Sequence, residues 1–231
     1  VTAFKDLMPT AGVRTTYGSL AYAQNVPDED DSLVATVKGL GMVPVGKTNT
    51  PEFGSGSQTY NAVMGTTRNP WDPTRTPGGS SGGAAAALAC GSLSLADGSD
   101  LGGSLRNPAS FCGVVGFRPS TGRNPVEASN WNLDGELLRW SGGAVQMPTT
   151  GPMARTVTDL ALYNDALTGS SSRPDVPAAP RVAYSRTLSG LPVDREVARV
   201  VDAAVTALAD AGWQIIEAEP DLQISELSFE R

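Results

Sequence analysis

Two serine-bearing glycine turns are the stretches of this chain best suited to chemistry. One reads Gly78-Gly-Ser-Ser-Gly-Gly83 and the other Asp100-Leu-Gly-Gly-Ser104. Consecutive backbone N–H groups in a tight turn can converge on one point and hold an oxyanion. Gly102 and Gly103 let another molecule approach the backbone closely. Ser104, at the end of that run, would present its hydroxyl beside the hole. This is a nucleophile with oxyanion donors, but without the G-x-S-x-G signature. A free serine hydroxyl is a poor nucleophile and needs a base within hydrogen-bond reach. The chain contains no histidine, so Lys, Asp and Glu are the candidates. A buried, neutral lysine suits work near neutral pH best; its pKa must fall from about 10.4 to about 7–8. Ser80 or Ser81 in the other turn could relay the proton. Glycine–serine runs also serve as plain linkers and bends, and the first turn alone is a weak sign.

Strands and helices must hold these turns. The residues around 1–4 read as a strand. Leu33, Val34, Val37 and Leu40 share one face of a predicted helix over 31–41, closed by Gly41. A short buried strand is expected over 42–45, then a loop-rich stretch over 48–77 punctuated by Pro51, Pro70, Pro73 and Pro77. A small-residue helix is expected over 83–90, with strands over 92–96 and 114–117. The polar, Trp-bearing stretch 124–148 reads as a long loop or insertion. A helix over 156–167 has Thr156 as its N-cap candidate. Residues 170–180 read as a Ser/Pro-rich linker. Beyond it come a strand over 181–185, a helix over 194–211 with Val197, Val200, Val201, Ala204, Leu208 and Ala211 inward, a Gly212 cap and a strand over 214–217. Strands alternating with helices imply an α/β sheet with helices on its faces.

Composition narrows the function. The chain has 231 residues, a formal net charge of −7, 40% hydrophobic and 18% charged residues, ordinary for a globular protein with a sizeable core. No basic stripe is visible, which argues against a nucleic-acid partner. Lysine occurs only at Lys5, Lys38 and Lys47. Cys90 and Cys112 are too few for a disulfide framework and read as free thiols of a cytoplasmic protein. Without histidine or a CxxC pair, a metal site is not expected. The longest apolar runs are too short to span a bilayer. The chain begins within a strand pattern and stops within another, so a fragment is expected. Gly41-Met-Val-Pro-Val-Gly-Lys-Thr48 fits the phosphate-loop pattern G-x4-GK[ST], but a helix precedes it, Pro44 has no N–H to donate and Pro51 hinders a following helix. Lys47 therefore reads as a structural residue at a strand end.

Longer motifs bring a family into view. Thr76-Pro-Gly-Gly-Ser-Ser-Gly-Gly83, Asp100-Leu-Gly-Gly-Ser-Leu-Arg-Asn-Pro-Ala109 and Phe111-Cys-Gly-Val-Val-Gly-Phe-Arg-Pro-Ser120 resemble the amidase signature family. So do Gly46-Lys-Thr-Asn-Thr-Pro-Glu-Phe53, Arg68-Asn-Pro-Trp71, Gly151-Pro-Met-Ala-Arg155, and Phe4-Lys-Asp-Leu7 followed by Thr15-Thr-Tyr-Gly-Ser19. The motifs are collinear over most of residues 1–160.

The resemblance implies an amidase signature α/β fold, a mixed twisted sheet with helices on both faces, of which this chain is a partial copy. It implies one domain over 1–231, with catalytic motifs in 1–169, a linker over 170–180 and a further α/β segment over 181–231. It implies an amide hydrolase with a Ser–cis-Ser–Lys triad: Ser104 as nucleophile, Ser80 as relay after a cis Gly79–Ser80 bond, and Lys5 as base. The amides of Leu101, Gly102, Gly103 and Ser104 would form the oxyanion hole. Ser81 would donate to the catalytic turn, Asp100 and Arg106 would brace it, and Gly54 and Ser55 would line the acyl side of the pocket. The stretch from Trp131 to Trp140 reads, from its residues alone, either as hydrophobic pocket walls or as a solvent loop tacked down by its tryptophans. No cofactor or metal is implied. The partner is a small-molecule amide, with no nucleic acid and no membrane; a homodimer or the rest of the polypeptide are the protein partners allowed. The alternatives are a glutaminase subunit of a tRNA-dependent amidotransferase, from which Leu105-Arg-Asn107 and Arg118-Pro-Ser-Thr-Gly-Arg123 depart, and a non-catalytic binding protein.

Overall fold

The first strand shows how the larger part of the chain is layered. Adjacent residues of a strand point to opposite faces. In β1 (Thr2–Lys5), Ala3 joins one buried cluster and Phe4 the other. Ala3 meets Ala84, Ala85 and Leu88 of α2 (Gly82–Ala89) and Ala109 and Cys112 of α3 (Arg106–Cys112), together with Leu105. Phe4 meets Leu33, Val34 and Val37 of α1 (Ser32–Gly39) and Tyr163 and Leu167 of α4 (Val157–Thr168). Helices thus cover both faces of the strands. Trimming the fully buried Phe4 to Ala would cost about 3–5 kcal/mol.

The computed structural model describes residues 1–121, 123–124, 148–171 and 177–221. Residues 125–147 of the insertion expected over 124–148, with the stretch 131–140, residues 172–176 of the expected linker and the chain past 221 fall outside the described residues. The chain divides into two units, Val1–Ser172 and Arg173–Arg231. In the first, β1 pairs in parallel with β2 (Pro44–Thr48). Tyr60–Asn61 (β3) and Gly65–Thr66 (β4) form a short hairpin. β5 (Leu95–Asp100), which also lies against β1, pairs antiparallel with β7 (Thr149–Ala154), and β7 with β6 (Val115–Gly116). In the second unit, β8 (Arg181–Tyr184) and β9 (Gln214–Glu217) pair in parallel around α5 (Arg195–Asp210). Among the described residues no helix is long and apolar enough to cross a membrane.

Local chemistry explains the helix starts. Asp31 caps α1 by accepting from Leu33 N (2.8 Å). Thr156 caps α4 by accepting from Asp159 N (3.1 Å), and Asp194 caps α5 by accepting from Glu196 N (2.8 Å). Each side chain satisfies an amide that the first turn leaves orphaned.

Several expected elements are corrected. The second strand runs to Thr48 rather than stopping at 45, so Lys47 lies inside it. Leu40 sits at the α1 C-cap and is exposed. The strand expected over 92–96 begins at Leu95 and continues through Asp97, Gly98, Ser99 and Asp100. β7 and α3 lie where no element was expected. Pro152 is tolerated in central β7 because β6 pairs only with Ala154 and Met153, and Pro152 offers just its carbonyl, to Phe117 N (3.1 Å). In α5, Val197, Val200 and Val201 are exposed. The half-buried residues are Ala198, Asp202, Val205 and Leu208, because a two-stranded sheet covers only one stripe of a helix.

Candidate active site

Lys5 ends β1 fully buried, and three serine hydroxyls meet its ammonium group. Nζ lies 2.6 Å from Ser80 Oγ, 3.0 Å from Ser81 Oγ and 2.9 Å from Ser99 Oγ. Burial pushes its pKa down from 10.5 to about 7, against the pull of the Asp97 and Asp100 carboxylates. A neutral amine has two N–H donors and one lone pair, and three hydroxyls match that set: two accept and the third donates.

Ser80 and Ser81 occupy the turn that opens α2, and the Gly79–Ser80 peptide bond is cis. Neighbouring loops grip this turn. Thr59 Oγ1 donates to Gly78 O (2.8 Å) and accepts from Gly82 N (3.1 Å). Asn107 Oδ1 accepts from Gly79 N (3.4 Å). The fit leaves no room at Gly79, where a Cβ would sit 2.8 Å from Gln58 N. Gly98 has a similar duty: a Cβ there would come within 2.7 Å of Ser81 Oγ. Ser81 Oγ donates to Ser99 O (3.4 Å) and accepts from Ser99 N (3.3 Å). Its side chain thus bonds to β5, while its backbone N–H donates to Ser104 O (3.2 Å).

The second turn is built on Asp100, whose side chain is fully buried. It accepts from Gly103 N (2.7 Å), Leu105 N (3.1 Å) and two Arg106 nitrogens (both 3.0 Å). Arg118 Nη1 lies 3.1 Å from Oδ1 and also donates to the Asp100 carbonyl. Burial alone would raise this carboxyl; the Arg106 hydrogen bonds and the two amides outweigh it and hold the group well below the usual carboxylate range. Gly103 N–H is therefore spent on Asp100, which takes it out of the expected oxyanion set in this conformation. The amides of Leu101, Gly102 and Ser104 have no partner among the described residues. The Ser104 hydroxyl also makes no hydrogen bond there and is half-buried.

Gly54 closes a short 3-10 turn and Ser55 is exposed just beyond it. Neither bonds to Ser80 or Ser104; the link is their loop, which runs on to Gln58 against Gly79. Sequence reasoning missed Ser99, Asp97 and Arg118. Arg118 lay within a quoted motif, whereas Asp97 and Ser99 carried no signal beyond a polar run.

Lys47, on the neighbouring strand, is half-buried. Its Nζ donates to Met8 O, Thr10 Oγ1 (2.9 Å) and Thr15 Oγ1 (3.1 Å). The group ties β2 to the segment after β1, and no phosphate loop forms around it.

Known proteins resemble the chain in sequence and in fold. The chain is 48% identical over 169 residues to a glutamyl-tRNA(Gln) amidotransferase subunit from Thermus thermophilus, covering 73% of this chain and 34% of that one. It superposes on the solved glutamyl-tRNA(Gln) amidotransferase subunit from Thermotoga maritima with a TM-score of 0.82 at 30% identity, covering 99% of this chain and 52% of that one. It superposes on a 6-aminohexanoate cyclic dimer hydrolase solved with its substrate at 0.83 and 31% identity, covering 95% and 48%. The chain thus spans between about a third and a half of these proteins. The α/β fold is the amidase signature fold, present in part. The family model described as Amidase matches residues 1–229, and the chain belongs to that family.

Proposed function

We propose that this chain carries the catalytic half of an amide-bond hydrolase that works through a Ser104 acyl-enzyme. The observation that carries this reading is the 2.6 Å contact between Lys5 Nζ and Ser80 Oγ in a fully buried site. With a pKa near 7, Lys5 is neutral often enough at neutral pH to act as a base.

Neutral Lys5 takes the proton of Ser80 Oγ as Ser80 takes that of Ser104 Oγ. A turn of the Ser104 side chain toward Ser80 closes this relay when substrate binds. Ser104 Oγ attacks the amide carbon, and the carbonyl oxygen becomes an oxyanion held by the N–H groups of Leu101, Gly102 and Ser104. As the C–N bond breaks, Ser80 gives its proton to the leaving nitrogen and recovers one from the Lys5 ammonium. Water then attacks the ester through the same relay, releasing the carboxylate and restoring Ser104. Asp100, clamped by Arg106 and Arg118, fixes the turn that presents these amides. Gly54 and Ser55 line the acyl side of the pocket. The family match across both units supports reading 1–231 as one domain. The free thiols Cys90 and Cys112 fit a cytoplasmic setting.

A second reading is the glutaminase subunit of an amidotransferase, working with partner subunits. The motif departures at Leu105-Arg-Asn107 and 118–123 weigh against it, but the 48% identity to the Thermus protein weighs for it. Ammonia and amine release from a panel of glutamine and aliphatic, aryl and cyclic amides separates the two. Turnover of amides by the full chain, lost in Ser104→Ala, supports the hydrolase. Turnover of glutamine alone, raised by partner subunits, supports the second reading. Turnover that survives Ser104→Ala contradicts both.

A further inference from the structure

We infer that Asp97 is a positioning residue for this reaction: its buried carboxylate anchors the backbone of Lys5 and sets the pH range in which that lysine works as a base. The inference rests on the hydrolase reading above.

The geometry is specific. β1 and β5 lie side by side, yet they belong to separate hydrogen-bonded ladders. What joins them at the site is a side chain. The N–H of Lys5 points at both oxygens of Asp97, 3.2 Å from Oδ1 and 3.3 Å from Oδ2. Asp97 is 1% exposed, and the hydroxyl of its strand neighbour Ser99 is a partner of the lysine Nζ. One strand therefore fixes Lys5 at two points, main chain and amine.

Charge gives the second argument. Two carboxylates act on the Lys5 ammonium, Asp97 and Asp100. Asp100 is neutralised by Arg106 and Arg118. Asp97 has no ion pair among the described residues. The groups facing it are Lys5 on β1, Lys47 on β2 and the Tyr163 phenol on α4. Lys47 is in turn faced by Asp6, Asp30 and Asp31. Burial raises the Asp97 carboxyl, and the Lys5 amide and the two lysines pull it back down. An anion beside a buried ammonium favours its charged form, so Asp97 opposes the desolvation that makes Lys5 basic only as a neutral amine. Without that anion, Lys5 would lose its proton at lower pH.

Asp97→Asn separates anchor from charge, because the amide oxygen still accepts from Lys5 N. The titration of Lys5 is read in the full chain from its 13Cε shift, assigned by its absence in Lys5→Met. The midpoint should fall by about one pH unit, and the acid limb of kcat/KM should follow it, with KM unchanged and the plateau rate kept within a few-fold. A purely structural Asp97 would lower stability but leave both midpoints in place, and that result overturns the inference. Should Asp97→Asn fail to fold, Asp97→Ser, whose hydroxyl can accept from the same amide, carries the same expectation. A wild type that turns over no amide, while its 13Cε midpoint shifts on mutation, contradicts the hydrolase reading but not the Asp97–Lys5 coupling. Turnover with unmoved midpoints contradicts the coupling alone.

Discussion

Lys5 and Lys47 lie on neighbouring parallel strands, in register one residue apart, with Phe4 opposite Lys47 and Lys5 opposite Thr48. Lys5 is fully buried and Lys47 half-buried, and desolvation lowers both, Lys5 to about 7 and Lys47 to about 8. Their neighbours differ. Lys5 meets three serine hydroxyls, two of them in the turn that opens α2, where Ser81 N–H donates to Ser104 O. Lys47 meets a carbonyl and two threonine hydroxyls within its own corner of the fold. Those threonine hydroxyls donate to Met8 O and Val13 O and lead to no serine turn, whereas Ser80 beside Lys5 sits in the turn that bonds to Ser104. Lowered basicity alone does not make a catalytic lysine; a proton donor leading to a nucleophile does.

The largest expected effect is at Lys5. Lys5→Met should lower kcat/KM by roughly 10^3-fold, since it removes the proposed general base, while circular dichroism stays native. Ser80→Ala should follow at roughly 10^2-fold by cutting the relay. Lys47→Met should instead appear in stability, a loss of about 2 kcal/mol in denaturant unfolding as charge-assisted hydrogen bonds go, with turnover changed less than Lys5→Met changes it. The opposite ranking of the two lysines would dissolve the distinction between them. Ser99→Ala should cost least, a few-fold in kcat, because Ser81 still accepts from the amine.

The same contrast predicts a pH signature. On the proposed mechanism Lys5 acts as a neutral base, so kcat/KM should rise through an apparent pKa near 7. Its folded pKa lies below the unfolded value of 10.5. Between about 7 and 10.5 the unfolded chain holds a proton that the folded chain has shed, so this group adds stability as pH rises through that window. Urea unfolding of wild type against Lys5→Met should show the wild type gaining relative stability from pH 7 to 10. A flat difference would mean that Lys5 keeps its proton in the fold.

Lys5 and Ser80 meet in the fold, and Ser104 lies in the adjoining turn. Ser80, Ser104 and Lys5 came from motifs, because chemistry fixes residue type at a position. α1, α4 and α5 came from caps and apolar periodicity. β5 extends past the expected 92–96 because the apolar run stops at Ala96, and Asp97, Gly98, Ser99 and Asp100 beyond it are buried and bond around Lys5 and the Ser104 turn. Hydrophobic patterning cannot find a strand whose buried side chains are satisfied by hydrogen bonds. β7 was hidden by Gly151 and Pro152, and α3 by Pro108, which sits in the first turn where its missing N–H costs nothing. In α5 the apolar residues were read as inward, but periodicity does not say how wide a stripe the neighbouring sheet covers.

The central claim, that Lys5 and Ser80 arm Ser104, is tested most directly by a fluorophosphonate probe with peptide mapping on the full chain. The account predicts a single adduct on Ser104, lost in Lys5→Met and kept in Lys47→Met. An adduct on another serine, or one that needs Lys47 rather than Lys5, would contradict it.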